Sequence, residues 1–335
     1  MNSSDVVVFF RCDASNKIGA GHFYRCLTLA KALKRSNVVC HFISHRLPSE
    51  YIAQLKHFGF TLSTFDCIEK DLKATLHAID NNVPSHNTRT IIIADGYHLS
   101  PDWYEAVYSN VDTLVSIEDT VRKQAIYDLV LNQSASVGKN NYDHKPEHAY
   151  AMLGTQYVLL SSDFTPKEFS IDLQPEKRIV LSFGAMDMNC WLLPILEKLQ
   201  ERDYFHQFEI DIIISSQSVS LSSIKNFTTH SSLKITLHVD TQEVAKIYRS
   251  ASVAIGSCGI STWERASCGI ASVVIAEADN QNDNFSLLAI KEAAACVDVS
   301  GHSVLQQIIN ETNLIDTSEK KIIVNIDETK KTLVL

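Results

Sequence analysis

Short apolar runs alternate with helical patterns along almost the whole chain. Runs at Val6–Phe10, Val38–Ile43, Ile91–Asp95, Thr113–Ile117, Asp128–Leu131 and Tyr157–Leu160 read as strands. A second series follows at Ile179–Phe183, Glu209–Ile214, Lys234–His238, Val253–Gly256, Ser272–Ile275 and Cys296–Val299. Between them apolar residues recur at helical spacing, notably over 21–34, 189–202, 241–250, 260–268 and 283–294. Alternation of this kind belongs to parallel sheets covered by helices on both faces. The pattern therefore predicts an α/β chain of two doubly wound, Rossmann-like domains. The polar stretch 161–176, with two prolines, marks the boundary between an N-terminal domain over 1–165 and a C-terminal domain over 176–335. No internal repeat is evident, and the tail from Asp316 is charged and weakly patterned.

Parallel sheets bind ligands beyond the carboxyl ends of their strands, so the turns there carry the candidate chemistry. The first strand runs into Gly19-Ala-Gly21-His22 at a strand-to-helix turn. Glycines let a ligand approach the backbone, and the helix start presents N–H groups. His22 lies in the first helical turn, which suits a neutral imidazole accepting a proton as a general base does. A plain glycine turn with a capping histidine reads the same residues equally well. A dinucleotide fingerprint does not fit, because Arg25 holds the third glycine position and the next strand carries no acid.

In the second half, Gly184-Ala-Met-Asp187 follows one strand, and Ser257-Cys-Gly259-Ile-Ser261-Thr262-Trp-Glu264-Arg265 follows another. Hydroxyls at a helix start suit a pyrophosphate, and Glu264 one turn on suits the two hydroxyls of a ribose. Capping is the competing reading. Asn280 and Gln281 open the next helix, as caps or as amides for sugar hydroxyls.

At 335 residues the chain is long for one core. A net charge of -9 argues against a broad nucleic-acid surface, while leaving room for a phosphorylated small molecule at helix starts. The eight cysteines stand singly and the thirteen histidines show no metal-binding spacing, so neither a disulfide framework nor a metal centre is expected. No signal peptide or membrane span is read, and the expectation is a cytoplasmic protein without stable membrane association.

These motifs carry a family resemblance. Arg11-x-Asp13-Ala-Ser with Gly19-x-Gly21-His22-x-x-Arg25 resembles the opening of the nucleotide-sugar hydrolases of pseudaminic acid biosynthesis and of related spore-coat polysaccharide proteins. Asp95-Gly-Tyr97 with Trp103, Glu118-Asp119, Asp128 to Gln133, Gly259-x-Ser-Thr-Trp-Glu-Arg265 and Ala278-Asp-Asn-Gln281 continue it over nearly the whole chain. The loop Gly184 to Asp187 and the turn Ser257 to Gly259 are bulkier than the family's glycine-rich versions. The resemblance implies a GT-B-like fold, with the UDP of a UDP-sugar held on the second domain and the sugar in the cleft. It implies metal-independent hydrolysis of UDP-2,4-diacetamido-2,4,6-trideoxy-β-L-altropyranose, without a cofactor and with His22 as base. Asp13 orients His22 or the sugar. Arg11, Gly19, Gly21, Arg25, Tyr97, Gly184, Asp187, Gly259, Ser261, Thr262, Glu264, Asn280 and Gln281 are the substrate-binding candidates. A glycosyltransferase of the same fold and a non-catalytic nucleotide-sugar-binding protein are the alternatives.

Overall fold

A computed structural model gives the fold, and it describes residues 6–15, 18–85, 87–164, 177–278, 281–290, 294–297, 307, 325–327 and 332–334. The chain divides into two compact units, Met1–Leu159 and Leu160–Leu335.

The first unit carries strands β1 (Val6–Cys12), β2 (Val39–His45), β3 (Thr61–Phe65), β4 (Arg89–Asp95), β5 (Thr113–Glu118), β6 (Leu129–Asn132) and β7 (Tyr150–Leu153). Its helices are α1 (Gly21–Arg35), α2 (Ser49–His57), α3 (Asp71–Asn82) and α4 (Pro101–Tyr108). The strands form one seven-stranded parallel sheet in the order β3-β2-β1-β4-β5-β6-β7. Successive side chains of a strand point to opposite faces. Val8 and Phe10 accordingly pack with Phe23, Cys26, Leu27 and Ala30 of α1. Val7 and Phe9 pack on the other face with Ile79 of α3 and Trp103, Tyr104 and Val107 of α4. Burial on both faces is why β1 reads as an unbroken apolar run.

The second unit carries β8 (Arg178–Ser182), β9 (Glu209–Ile214), β10 (Lys234–Val239), β11 (Val253–Ser257), β12 (Ala271–Ile275) and β13 (Ala295–Val297). Its helices are α5 (Leu192–Gln200), α6 (Leu221–His230), α7 (Val244–Ser250), α8 (Ser261–Ser267) and α9 (Asn282–Ile290). The six strands are again all parallel, ordered β10-β9-β8-β11-β12-β13. Ile179 and Leu181 meet α5 and α6 on one face, and Val180 meets α7 on the other. Asn325–Asp327 and Thr332–Val334 pair as a short antiparallel ribbon.

The expected strand at Tyr157–Leu160 is not formed. Thr155–Tyr157 is a turn of 3-10 helix, and the seventh strand lies earlier, at Tyr150–Leu153. The helix expected over 189–202 is confined to Leu192–Gln200, because Asp187–Cys190 is taken up by a turn in which Asp187 and Cys190 have positive φ.

Candidate functional site

In each sheet the strand order reverses direction at one place, between β1 and β4 in the first unit and between β8 and β11 in the second. Such a reversal opens a crevice at the strands' carboxyl ends. The chemistry-bearing residues gather at these two places.

In the first unit, the turn from β1 into α1 is built on Gly19, whose φ of +74° is a left-handed conformation that favours glycine. A Cβ on Gly19 or Gly21 would meet nothing within 4 Å, so the backbone there faces open space. His22 follows and is almost fully buried. Its Nδ1–H donates to Asp95 Oδ1 at 2.6 Å, at the end of β4. Nε2 has no hydrogen-bond partner among the described residues. The Tyr97 ring meets the His22 ring edge-on at 4.7 Å.

Arg25, one turn after His22, fixes this arrangement. Its Nη2 donates to Asp95 Oδ1 at 2.5 Å, its Nε to Asp95 Oδ2, and its Nη1 to Asp119 Oδ1 at 2.5 Å. Tyr97 donates its hydroxyl to the other oxygen of Asp119 at 2.6 Å. Burial alone would raise the Asp95 carboxyl, but the charge and hydrogen bonds of Arg25, with His22, outweigh it and hold it at about 2. Asp95 therefore stays ionised and keeps the His22 proton on Nδ1.

Asp13 does not reach His22. Its carboxylate accepts from Arg11 at 2.7 and 2.9 Å and from the His45 backbone N–H at 2.7 Å. Arg11 is fully buried; its Nε donates to Asp71 at 3.0 Å, and its Nη2 meets both Asp71, at 2.5 Å, and His98 Nε2, at 3.0 Å. Asp71 also accepts from Trp103 Nε1 at 3.0 Å. Arg11 and Arg25 thus have their guanidinium groups spent on carboxylates, and both belong to the floor of the site. The pairing of Asp95 with His22 and the roles of Asp71 and Asp119 were not foreseen. They depend on partners supplied by distant strands and helices.

In the second unit, Gly184 has a φ of +63° and open space around it. Asp187 is fully buried and accepts from the Trp191 N–H at 2.9 Å, which makes it a cap for the segment entering α5. Thr262 is buried too, donating to Ser257 O at 3.3 Å. Ser261 is half-buried and accepts from Arg265 Nη1 at 3.2 Å, so its own O–H is free to donate outward.

Arg265, the last residue of the Ser-Thr-Trp-Glu-Arg motif, dominates this turn. It is fully buried, it donates to Ser257 O at 2.7 Å and Thr262 Oγ1 at 3.2 Å, and among the described residues no carboxylate pairs with it. Burial pushes the half-buried Glu264 carboxyl up to about 7, against the pull of Arg265. Gln281 is a stitch between loops: its Oε1 accepts from Cys258 N–H and Glu277 N–H, each at 3.1 Å. Its NH2 group is the part left near Gly259, where a glycine Cβ would lie 3.6 Å from Nε2. Asn280 lies outside the described residues. Glu277, also unforeseen, is raised to about 7 by burial, and accepts from Asn189 at 3.3 Å.

No family model matches the chain. It is 24% identical over 281 residues to an uncharacterized protein of Methanocaldococcus jannaschii, covering 81% of this chain but only 56% of that protein. The chain thus spans little more than half the length of that relative. It is 23% identical over 245 residues to the UDP-2,4-diacetamido-2,4,6-trideoxy-beta-L-altropyranose hydrolase of Campylobacter jejuni, covering 72% and 80% of the two chains. Among solved structures it is similar to Acinetobacter baumannii MurG, with a TM-score of 0.60, 14% identity and coverage of 93% and 91%. It is also similar to a glycosyltransferase of Rickettsia africae, at a TM-score of 0.61, 13% identity and coverage of 98% and 92%. A putative UDP-N-acetylglucosamine 2-epimerase of Listeria monocytogenes gives 0.60, 10% identity and coverage of 95% and 89%. The fold is of the GT-B kind, two parallel-sheet α/β domains. Among the described residues no helix is long and apolar enough to cross a membrane.

Proposed function

We propose that this chain hydrolyses a UDP-sugar, and that the sugar is a diacetamido-trideoxy hexose or a close analogue used in nonulosonic acid or surface polysaccharide synthesis. The observation that carries the reading is the His22–Asp95 pair, with Nδ1 engaged at 2.6 Å and Nε2 free. A carboxylate behind a histidine fixes the tautomer and stabilises the imidazolium that forms when the other nitrogen takes a proton. Water attacks the anomeric carbon, His22 Nε2 accepts its proton, and the bond from that carbon to the diphosphate oxygen breaks. UDP then leaves as an anion. The buried Arg265 charge, relayed through the Ser261 hydroxyl, offsets the charge that develops on the diphosphate. Glu264 accepts from the ribose hydroxyls, and the NH2 of Gln281 and the open backbone at Gly184 and Gly259 border the phosphates. Similarity to the Campylobacter hydrolase supports the substrate class.

The GT-B fold favours a second reading, transfer of the sugar to an acceptor hydroxyl. UDP release from purified candidate UDP-sugars, measured without any acceptor, separates the two. Turnover with water alone supports hydrolysis. Release that appears only when an acceptor is added overturns it in favour of transfer, and no release from any candidate returns the chain to a binding role.

A further inference from the structure

One cavity of the first unit plays no part in that chemistry. It has a volume of about 410 Å³ and lies between the segment after β4 and the segment after β5. Tyr97, His98, Ser100, Arg122, Lys123 and Gln124 form its polar wall, and none of the residues lining it is acidic. That is notable in a chain of net charge -9. Arg122 is anchored: it donates to Leu99 O at 2.6 Å and to Gly96 O, its guanidinium lies 5.4 Å from the centre of the Tyr104 ring, and Glu118 stands 3.9 Å behind it. Lys123 is exposed and, among the described residues, has neither an ion pair nor a hydrogen bond. Ser100 accepts the Trp103 N–H at 3.2 Å, which leaves its O–H free to donate.

A compact ammonium group, a hydroxyl, an amide and aromatic surface in a cavity of small-molecule size match a hydroxylated ring bearing one anionic group. The geometry points to a second ligand site here, for a small hydroxylated anion of the sugar-acid or sugar-phosphate class, with Lys123 as its anion contact. Tyr97 also borders the dyad, its ring 4.7 Å from that of His22. An occupant therefore sits one side chain away from the reacting centre. This inference does not depend on the nucleotide reading.

Calorimetry on the full chain tests it, with glucuronate, glucose 6-phosphate and neutral glucose as probes. At least one anion should bind about tenfold more tightly than glucose, and Lys123→Glu should weaken that anion by about tenfold or more. Binding of glucuronate alone assigns a carboxylate ligand, and binding of glucose 6-phosphate alone a phosphate. Equal binding of glucose and the anions, binding of none of the three, or an anion affinity unchanged in Lys123→Glu overturns the proposal. Lys123 is exposed, so the substitution leaves the core intact. UDP titrated into the same variant reports on the other unit and keeps the two readings separate.

Discussion

At the scale of single residues, what matters is which atom of a group is already spent. His22 has spent Nδ1 and kept Nε2, whereas Arg11 and Arg25 have spent their guanidinium groups on carboxylates. His22→Asn should therefore lower UDP release by roughly 10²–10⁴-fold, as for loss of a general base. Asp95→Asn should cause a fall of similar size, up to about 10⁴-fold, by losing the tautomer control. Steady-state rates, with circular dichroism to verify folding, check both. The Asp95 carboxyl is depressed from 3.8 to about 2, so the stability its ionised form contributes is fully present above the first value and is lost as pH falls through the second, which acid denaturation of the parent and Asp95→Asn measures. Glu264 runs the other way. Its carboxylate forms as pH rises through about 7. If it receives the ribose hydroxyls, UDP affinity should rise about tenfold between about pH 6 and 8, beyond the change shown by Glu264→Gln. Titration calorimetry of both proteins across that range gives the comparison, and parallel curves would remove Glu264 from the nucleotide site. The placement of His22 was legible in the sequence because a glycine turn and a helix start are local features. Asp95 as its partner was not, since the two are 73 residues apart and meet only when β1 pairs with β4.

At the scale of elements, the strands of the first sheet that the apolar pattern missed are β3 and β7, its two edges. An edge strand has a neighbour on one side only, and these two are only partly buried, without a fully buried residue in either. Thr61-Leu-Ser-Thr-Phe65 consequently lacks the continuous apolar run that exposes β1 or β11 to inspection. The inner strands were legible for the converse reason. The backbones of β8 and β11 approach closely at Gly256. A Cβ built on Gly256 would lie 2.1 Å from Ser182 O and 3.0 Å from Arg265 Nη1. Gly256→Ala should force these strands apart, destabilise the protein by about 1–3 kcal/mol or more, and displace Arg265. Urea denaturation measures the first effect. Weakened UDP binding by the folded fraction reports the second.

At the scale of the molecule, the proposed base and the proposed nucleotide loops lie on separate units, and their effects should separate in the same way. His22→Asn should leave UDP affinity within about twofold of the parent, because mutations without shared partners act independently. The buried guanidinium of Arg265 already supplies a positive charge beside Ser261, so UDP binding should persist in excess chelator. Calorimetry with and without chelator decides this, and loss of binding on chelation would falsify the expectation.

The pairing of β1 with β4 also bears on how the molecule comes into being. Val6 is aligned with Arg89 and Cys12 with Asp95, so the central pair of the first sheet closes only after a long intervening stretch has been made. Pairing across such sequence distances carries a loop-closure cost and is slow. His22 and Asp95 stand at the far end of this seam. During synthesis His22 emerges long before its partner, and the free Nε2 has no fixed direction until the crossover is complete. Recovery of activity on refolding should follow the slowest phase of sheet formation rather than the early appearance of helices.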